Sequence, residues 1–172
     1  MNIFLIGYRC TGKTSAGKAL AEKLGRTFAD SDSEIVKEQG MSVAEMVSAH
    51  GWDFFREKEQ LVIRRLCAED KQVVATGGGV ILNPENVKNM RQSGIVVWLK
   101  ALPETIKQRI LNDEATSHLR PSLTAKGLTE EIEDVLSIRT PLYEGAMNFS
   151  VDTDQAGIDE ICSSIIAGLE GV

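Results

Sequence analysis

Apolar residues in this chain gather into short runs separated by stretches with helical spacing. Ile3-Phe4-Leu5-Ile6 reads as a buried strand, and Ile95-Val96-Val97-Trp98-Leu99 has almost no polar alternation, as expected where both faces are covered. Thr27-Phe28-Ala29, Val73-Val74-Ala75 and Phe149-Ser150-Val151 read as three more strands. Residues 15–24 have helical spacing, with Gly25 as the stop. A second helical segment follows Asp30-Ser31-Asp32 and runs through Gln39. Ser42-Val43-Ala44-Glu45 has the capping-box pattern for a short helix to about His50, followed by a longer, charge-rich helix over 52–69. Asn83-Pro84-Glu85 opens another helix. Residues 103–111 and 158–169 are helical, and a helix from Thr129 runs to about Arg139. Residues 112–127 are polar and lack periodicity. Strands alternating with helices predict βαβ units, a parallel sheet and helices on both of its faces. Ligands then belong at the carboxyl ends of the strands. Three polar or glycine-rich clusters fall there, after the first, second and third strands.

Composition narrows the picture. A chain of 172 residues, 42% hydrophobic and 26% charged, suits one globular domain spanning 1–172. A formal net charge of -6 argues against a nucleic-acid partner, since no excess of cations is present to neutralise phosphates. Cys10, Cys67 and Cys162 are odd in number and far apart, which predicts reduced thiols rather than a disulfide framework or metal site. Met1-Asn2 leads straight into the first strand, and no apolar run approaches the roughly 18 residues of a membrane span. The expectation is a cytoplasmic monomer without a membrane partner.

The strongest chemical signal is Gly7-Tyr8-Arg9-Cys10-Thr11-Gly12-Lys13-Thr14, a gapless Gly-x-x-x-x-Gly-Lys-Ser/Thr between a strand and a helix. Gly7 and Gly12 let the backbone curl so that N–H groups point at a phosphate, aided by the positive end of the helix. Lys13 can reach the β- and γ-phosphates, and Thr14 can ligate Mg²⁺. A nucleoside triphosphate is therefore expected, with its phosphoryl acceptor left open.

The other clusters each admit a plainer reading. Asp30 and Asp32, two apart after a strand, face the same way if extended, and can hold Mg²⁺ or accept a proton from an alcohol; equally, they can cap the next helix. Arg56 and Glu59 can touch across a helical turn, as ordinary solvated ion pairs also do. Gly77-Gly78-Gly79 suits close approach of a ligand to backbone, or a flexible turn. Arg120, in the irregular 112–127 stretch, can swing onto a transferring phosphoryl group from a lid, or be incidental to a surface loop. Arg139 is read at a helix end, where a cation is favourable without any function.

Taken together, these segments resemble the shikimate kinase family, of the nucleoside-monophosphate-kinase-like P-loop fold, over nearly the whole length. The matching pieces are the loop from Gly7 to Thr14, Asp30-Ser31-Asp32, Phe55-Arg56 with Glu59, Gly77-Gly78-Gly79, Leu119-Arg120-Pro121, and Arg139 with Pro141 and Tyr143. The resemblance implies a three-layer α/β/α fold with strand order 2-3-1-4-5 and a lid at about 112–127. It implies ATP-dependent phosphorylation of the 3-hydroxyl of shikimate, in aromatic amino-acid biosynthesis. Lys13, Asp32 and Arg120 would be catalytic. Gly7, Arg9, Cys10, Thr11, Gly12, Lys13, Thr14 and Ser15 would bind the nucleotide, with Arg120 on its phosphates and Arg109 stacked on adenine. Thr14 would ligate Mg²⁺, with Asp30 holding it through water. Asp32, Arg56, Gly77, Gly78, Gly79 and Arg139 would bind shikimate, the two arginines on its carboxylate, with Glu59 orienting Arg56. Ser31 stands where the family usually has Thr, Cys10 where Gly or Ser is more common, and Asp53 where Glu is frequent; none of these removes a functional group. Rival readings are a gluconate or nucleoside-monophosphate kinase on the same fold, and a nucleotide-binding switch protein without kinase activity.

Overall fold

A computed structural model describes residues 1–113 and 127–172. Five strands, β1 (Asn2–Ile6), β2 (Thr27–Asp30), β3 (Gln72–Ala75), β4 (Gly94–Lys100) and β5 (Phe149–Asp152), form one parallel sheet in the order 2-3-1-4-5. The helices among the described residues are α1 (Lys13–Leu24), α2 (Ser31–Gln39), α3 (Val43–Ala68), α4 (Pro84–Ser93), α5 (Pro103–Asn112), α6 (Leu128–Ala146) and α7 (Ile158–Leu169), with a 3-10 turn at Val80–Leu82. Strand β1 is central, paired through Ile3 with Val73 on one side and Ile95 on the other, and all five of its residues are buried.

Alternation along each central strand divides the core in two. Phe4, Ile6, Val74, Val96 and Trp98 face α3, α4 and the C-terminal part of α6. Ile3, Leu5, Val73, Ile95, Val97 and Leu99 face α1 and α7. Unbroken apolar runs are thus what a sheet covered on both faces requires. Full burial of each such side chain contributes about 1.5–3 kcal/mol.

The elements follow the sequence reading with informative differences. Helix α1 begins at Lys13, inside the glycine motif, and ends at Gly25 in the left-handed region (φ 60). Residues 43–68 are two helical pieces merged across a kink at Gly51, whose φ of 83 favours glycine, and the Ser42–Glu45 capping box is present. The expected end of α6 near Arg139 is incorrect. The helix continues through Pro141 to Ala146, which places Arg139 in its interior and removes the helix-end explanation for that cation. An internal proline costs roughly 3 kcal/mol. Packing on both sides of it offsets that: Val135 and Arg139 are buried before it, Tyr143 and Ala146 after it.

Replacing the fully buried Leu20 of α1 with alanine should destabilise the fold by about 2–5 kcal/mol. Equilibrium urea unfolding checks this, and a loss below about 1 kcal/mol would show a loosely packed α1 face.

Candidate active site

The carboxyl ends of β1, β2 and β3 open into a cavity of about 740 Å³. Its phosphate-loop wall bends through three left-handed residues, Gly7 (φ 143), Cys10 (φ 60) and Gly12 (φ 91). A Cβ on Gly7 would stand 2.5 Å from the Leu99 carbonyl oxygen, so this position is closed to larger residues. Cys10 is the unexpected member, a non-glycine residue held in a conformation that favours glycine. The Lys13 ammonium is buried and donates to the carbonyls of Gly7 (2.8 Å) and Tyr8 (2.6 Å), which fixes it over the loop. The Thr11 hydroxyl donates to the Tyr8 carbonyl at 2.9 Å and tightens the same turn.

Asp30 and Asp32 are not an extended pair facing the same way. Asp30 is the N-cap of α2, its Oδ1 accepting from the Ser33 N–H at 3.1 Å, and Asp32 lies within the first helical turn. The capping role considered for Asp32 therefore belongs to Asp30. The other Asp30 oxygen accepts from the Thr14 hydroxyl at 2.8 Å. Thr14 and Asp30 thus form an oxygen-donor pair on the cavity wall. Among the described residues no cluster of three or more His, Cys, Asp or Glu side chains could hold a metal by itself.

The opposite wall is built on the glycine triplet. A Cβ on Gly77 would stand 2.6 Å from Asp32 Oδ1 and 2.9 Å from Glu59 Oε1, and one on Gly79 would clash with the Arg56 guanidinium. Without side chains, these residues let three charged groups lie directly against the backbone. Arg56 donates to Glu59 at 2.8 Å and lies 5.3 Å from the ring centres of both Trp52 and Phe55. Glu59 is completely buried; desolvation pushes its carboxyl above the usual range, opposed by the Arg56 charge. The solvated ion pair considered for Arg56 and Glu59 is excluded by that burial. From α6, Arg139 Nη1 (3.2 Å) and the Tyr143 hydroxyl (2.5 Å) both donate to the Gly78 carbonyl. The Gly77 N–H donates to Ser31 Oγ at 3.1 Å, so the hydroxyl at position 31 ties the triplet to α2.

Arg109, on α5, donates from Nη1 to the Cys10 carbonyl (3.3 Å) and Thr153 Oγ1 (3.1 Å), and from Nη2 to the Thr153 carbonyl. It bridges the phosphate loop to the residue just after β5. Arg120 and most of the 112–127 lid fall on residues 114–126, outside the described residues. The other expected site residues, save Gly7, Thr11 and Arg109, line this cavity. Sequence reasoning missed Trp52, although an aromatic four residues before Arg56 was a legible helical spacing. It also missed Glu131, which pairs with Arg9 at 2.5 Å; nothing local signals a partner so far away in the chain.

Comparison with known proteins gives one family. The family model described as shikimate kinase matches residues 9–170. A shikimate kinase of Syntrophus aciditrophicus is 43% identical over 96% of this chain and 89% of its own. One of Symbiobacterium thermophilum is 36% identical over 99% of this chain and 97% of its own. Among solved structures, shikimate kinase from Acinetobacter baumannii in complex with shikimate has a TM-score of 0.92 and 34% identity, covering 99% of this chain and 93% of that one. A gluconokinase from Sinorhizobium meliloti, at 20% identity and a TM-score of 0.69, shares the fold alone.

The raised Glu59 carboxyl makes a signed prediction. Arg56, Asp32 and Arg139 are the charges that act on it. Between the ordinary glutamate value and the raised folded one, the folded chain holds the proton more tightly than the unfolded chain. Glu59's contribution to stability is therefore lost as pH rises through the folded value. Relative to Glu59→Gln, the wild type should be more stable at mildly acidic pH than at neutral pH. Urea unfolding of both proteins at the two pH values measures the difference, and a constant gap would contradict it.

Proposed function

The chain belongs to the shikimate kinase family, and we propose that the cavity transfers the γ-phosphoryl group of ATP to the 3-hydroxyl of shikimate. The observation that carries this reading is convergence. Phosphate loop, Asp32, the Arg56–Glu59 pair, the glycine triplet and Arg139 meet in one cavity. A protein solved with shikimate is 34% identical and has the same fold.

Shikimate carries one carboxylate and three hydroxyls. Arg56, oriented by Glu59 and two aromatic rings, and Arg139, anchored on Gly78, would bind the carboxylate. Asp32 would accept the hydrogen bond of the reacting hydroxyl and take up its proton as the new P–O bond forms. On the other side the bond from the γ-phosphorus to the β,γ-bridging oxygen breaks, and ADP leaves. Lys13 would offset charge on the β- and γ-phosphates, drawn from its two loop carbonyls by stronger charge-assisted bonds. Positioning and electrostatics supply most of the catalysis in such transfers.

Thr14 and Asp30 would hold Mg²⁺, a fit supported by two hard oxygen donors 2.8 Å apart beside the phosphate loop. Bound there, the ion would neutralise phosphate charge. The absence of a larger acidic cluster among the described residues agrees with an ion that keeps waters and substrate phosphates as ligands. Arg109 would stack on adenine. Arg120 would reach the transferring phosphoryl group from a lid at 112–127; resemblance alone supports that role. No described helix is long and apolar enough to cross a membrane. A single cytoplasmic, monomeric domain without a nucleic-acid partner completes the reading.

The direct test is ADP release with shikimate, gluconate and nucleoside monophosphates as acceptors. Strong preference for shikimate is expected, and preference for gluconate would overturn the assignment. Arg56→Lys keeps the charge but loses the fork; it should lower kcat/KM for shikimate roughly ten- to a hundredfold. Asp32→Asn should reduce kcat by about a hundredfold or more, and an unchanged rate would leave Asp32 no chemical role. Burial pushes the Cys67 and Cys162 thiols up, which slows their alkylation. Brief alkylation should therefore label Cys10 first, and Mg-ATP should protect it; mass mapping reads the order directly.

A further inference from the structure

Arg9 and Glu131 form the second ion pair beside the cavity, and nothing so far gives it a task. Nη2 of Arg9 lies 2.5 Å from Glu131 Oε1, with the glutamate 2% exposed and the arginine 18%. Arg9 lines the cavity, whereas Glu131 stands behind it in the first turn of α6. Burying a carboxylate is costly unless it is paired, so the acid must hold a cation there. The placement of Arg9 is specific. A Cβ on Gly78 would stand 3.4 Å from the Arg9 backbone nitrogen, so the phosphate loop and the glycine triplet pack against each other at this residue. The Arg9 guanidinium carbon is 5.8 Å from the centre of the buried Tyr8 ring. Arg9 therefore sits at the seam between the nucleotide side and the acceptor side.

We propose that Glu131 is a positioning residue: it holds the Arg9 guanidinium at this seam, where negative charge passes from nucleotide to acceptor during transfer. The inference rests on the phosphotransferase reading above. A long arginine on a loop would otherwise fold onto the first phosphates to arrive and stabilise bound ATP as much as the transition state. Tethered by a buried carboxylate, it is preorganised for charge that develops later, and uniform binding is avoided. Helix α6 serves both halves of the cavity through one buried face, Glu131 toward the phosphate loop and Arg139 and Tyr143 toward Gly78.

The experiment is a double-mutant cycle on the full chain, using Arg9→Ala, Glu131→Gln and the two combined, with Glu131→Asp as the conservative variant. ADP release gives kcat and KM for ATP and shikimate, and calorimetry gives Tm. Glu131→Gln should lower kcat about tenfold while KM for ATP changes less than about threefold. Glu131→Asp should recover part of the loss. The loss in the combined variant should fall well short of the product of the two single losses, because both act through the same contact. Additive losses would overturn the proposal, as would a loss carried by KM for ATP or a lower Tm with unchanged kcat. If Glu131→Gln folds poorly, Arg9→Lys keeps the charge without the fork and should show the same fall in kcat. A wild type that uses another acceptor would defeat the shikimate reading separately, and the same cycle run on that acceptor would still decide the role of Glu131.

Discussion

The cavity depends on backbone without side chains at Gly77, Gly78 and Gly79. Asp32 and Glu59 press against the first, and the Arg56 guanidinium against the third. The carbonyl of the second accepts from both Arg139 and Tyr143. Helices α2, α3 and α6 thus meet on three residues that contribute only main chain. A methyl group at either outer position would require a charged side chain to move. The flexible-turn reading of this triplet fails because its neighbours fix it.

Much of this was legible in the chain, for reasons that differ by segment. The phosphate loop is local: its glycines, lysine and threonine act through eight contiguous residues, so the motif carries its own geometry. Strands β1 and β4 were legible because burial on both faces leaves their apolar runs, Ile3 to Ile6 and Ile95 to Leu99, unbroken. The extent of α6 was not, because Pro141 is a local stop signal overruled by distant packing, with Tyr143 stacked on Trp98 at 5.5 Å. Asp30 and Asp32 were recognised as a pair but assigned the wrong backbone; the helix begins one residue after the cap and rotates them apart. Glu131 was invisible, since an acid in a helix's first turn is unremarkable until its partner is known.

The cations of the site are held by carboxylates or by backbone carbonyls. Arg56 has Glu59, Arg9 has Glu131, and Lys13 is held by carbonyls of its own loop. Fixed charges held this way need little reorganisation when a ligand arrives, which is where a preorganised site gains over water. The aromatic rings beside Arg56 add to this, since a stacked guanidinium gives up rotamer freedom before binding rather than during it.

The position of β1 has a consequence for how the molecule is made. The central strand precedes both of its neighbours, β3 and β4, in chain order; the Gln72 N–H meets the Asn2 side chain across a separation of 70 residues. Until those are made, a largely apolar strand has no ladder partner, and a nascent chain carries an edge open to wrong pairings. The phosphate-loop sequence is made well before α6, which carries the acid paired with Arg9 and the arginine that meets Gly78. The nucleotide motif is therefore complete as sequence long before it is complete as a site. An interrupted chain would hold the phosphate loop without the wall that directs transfer to an acceptor.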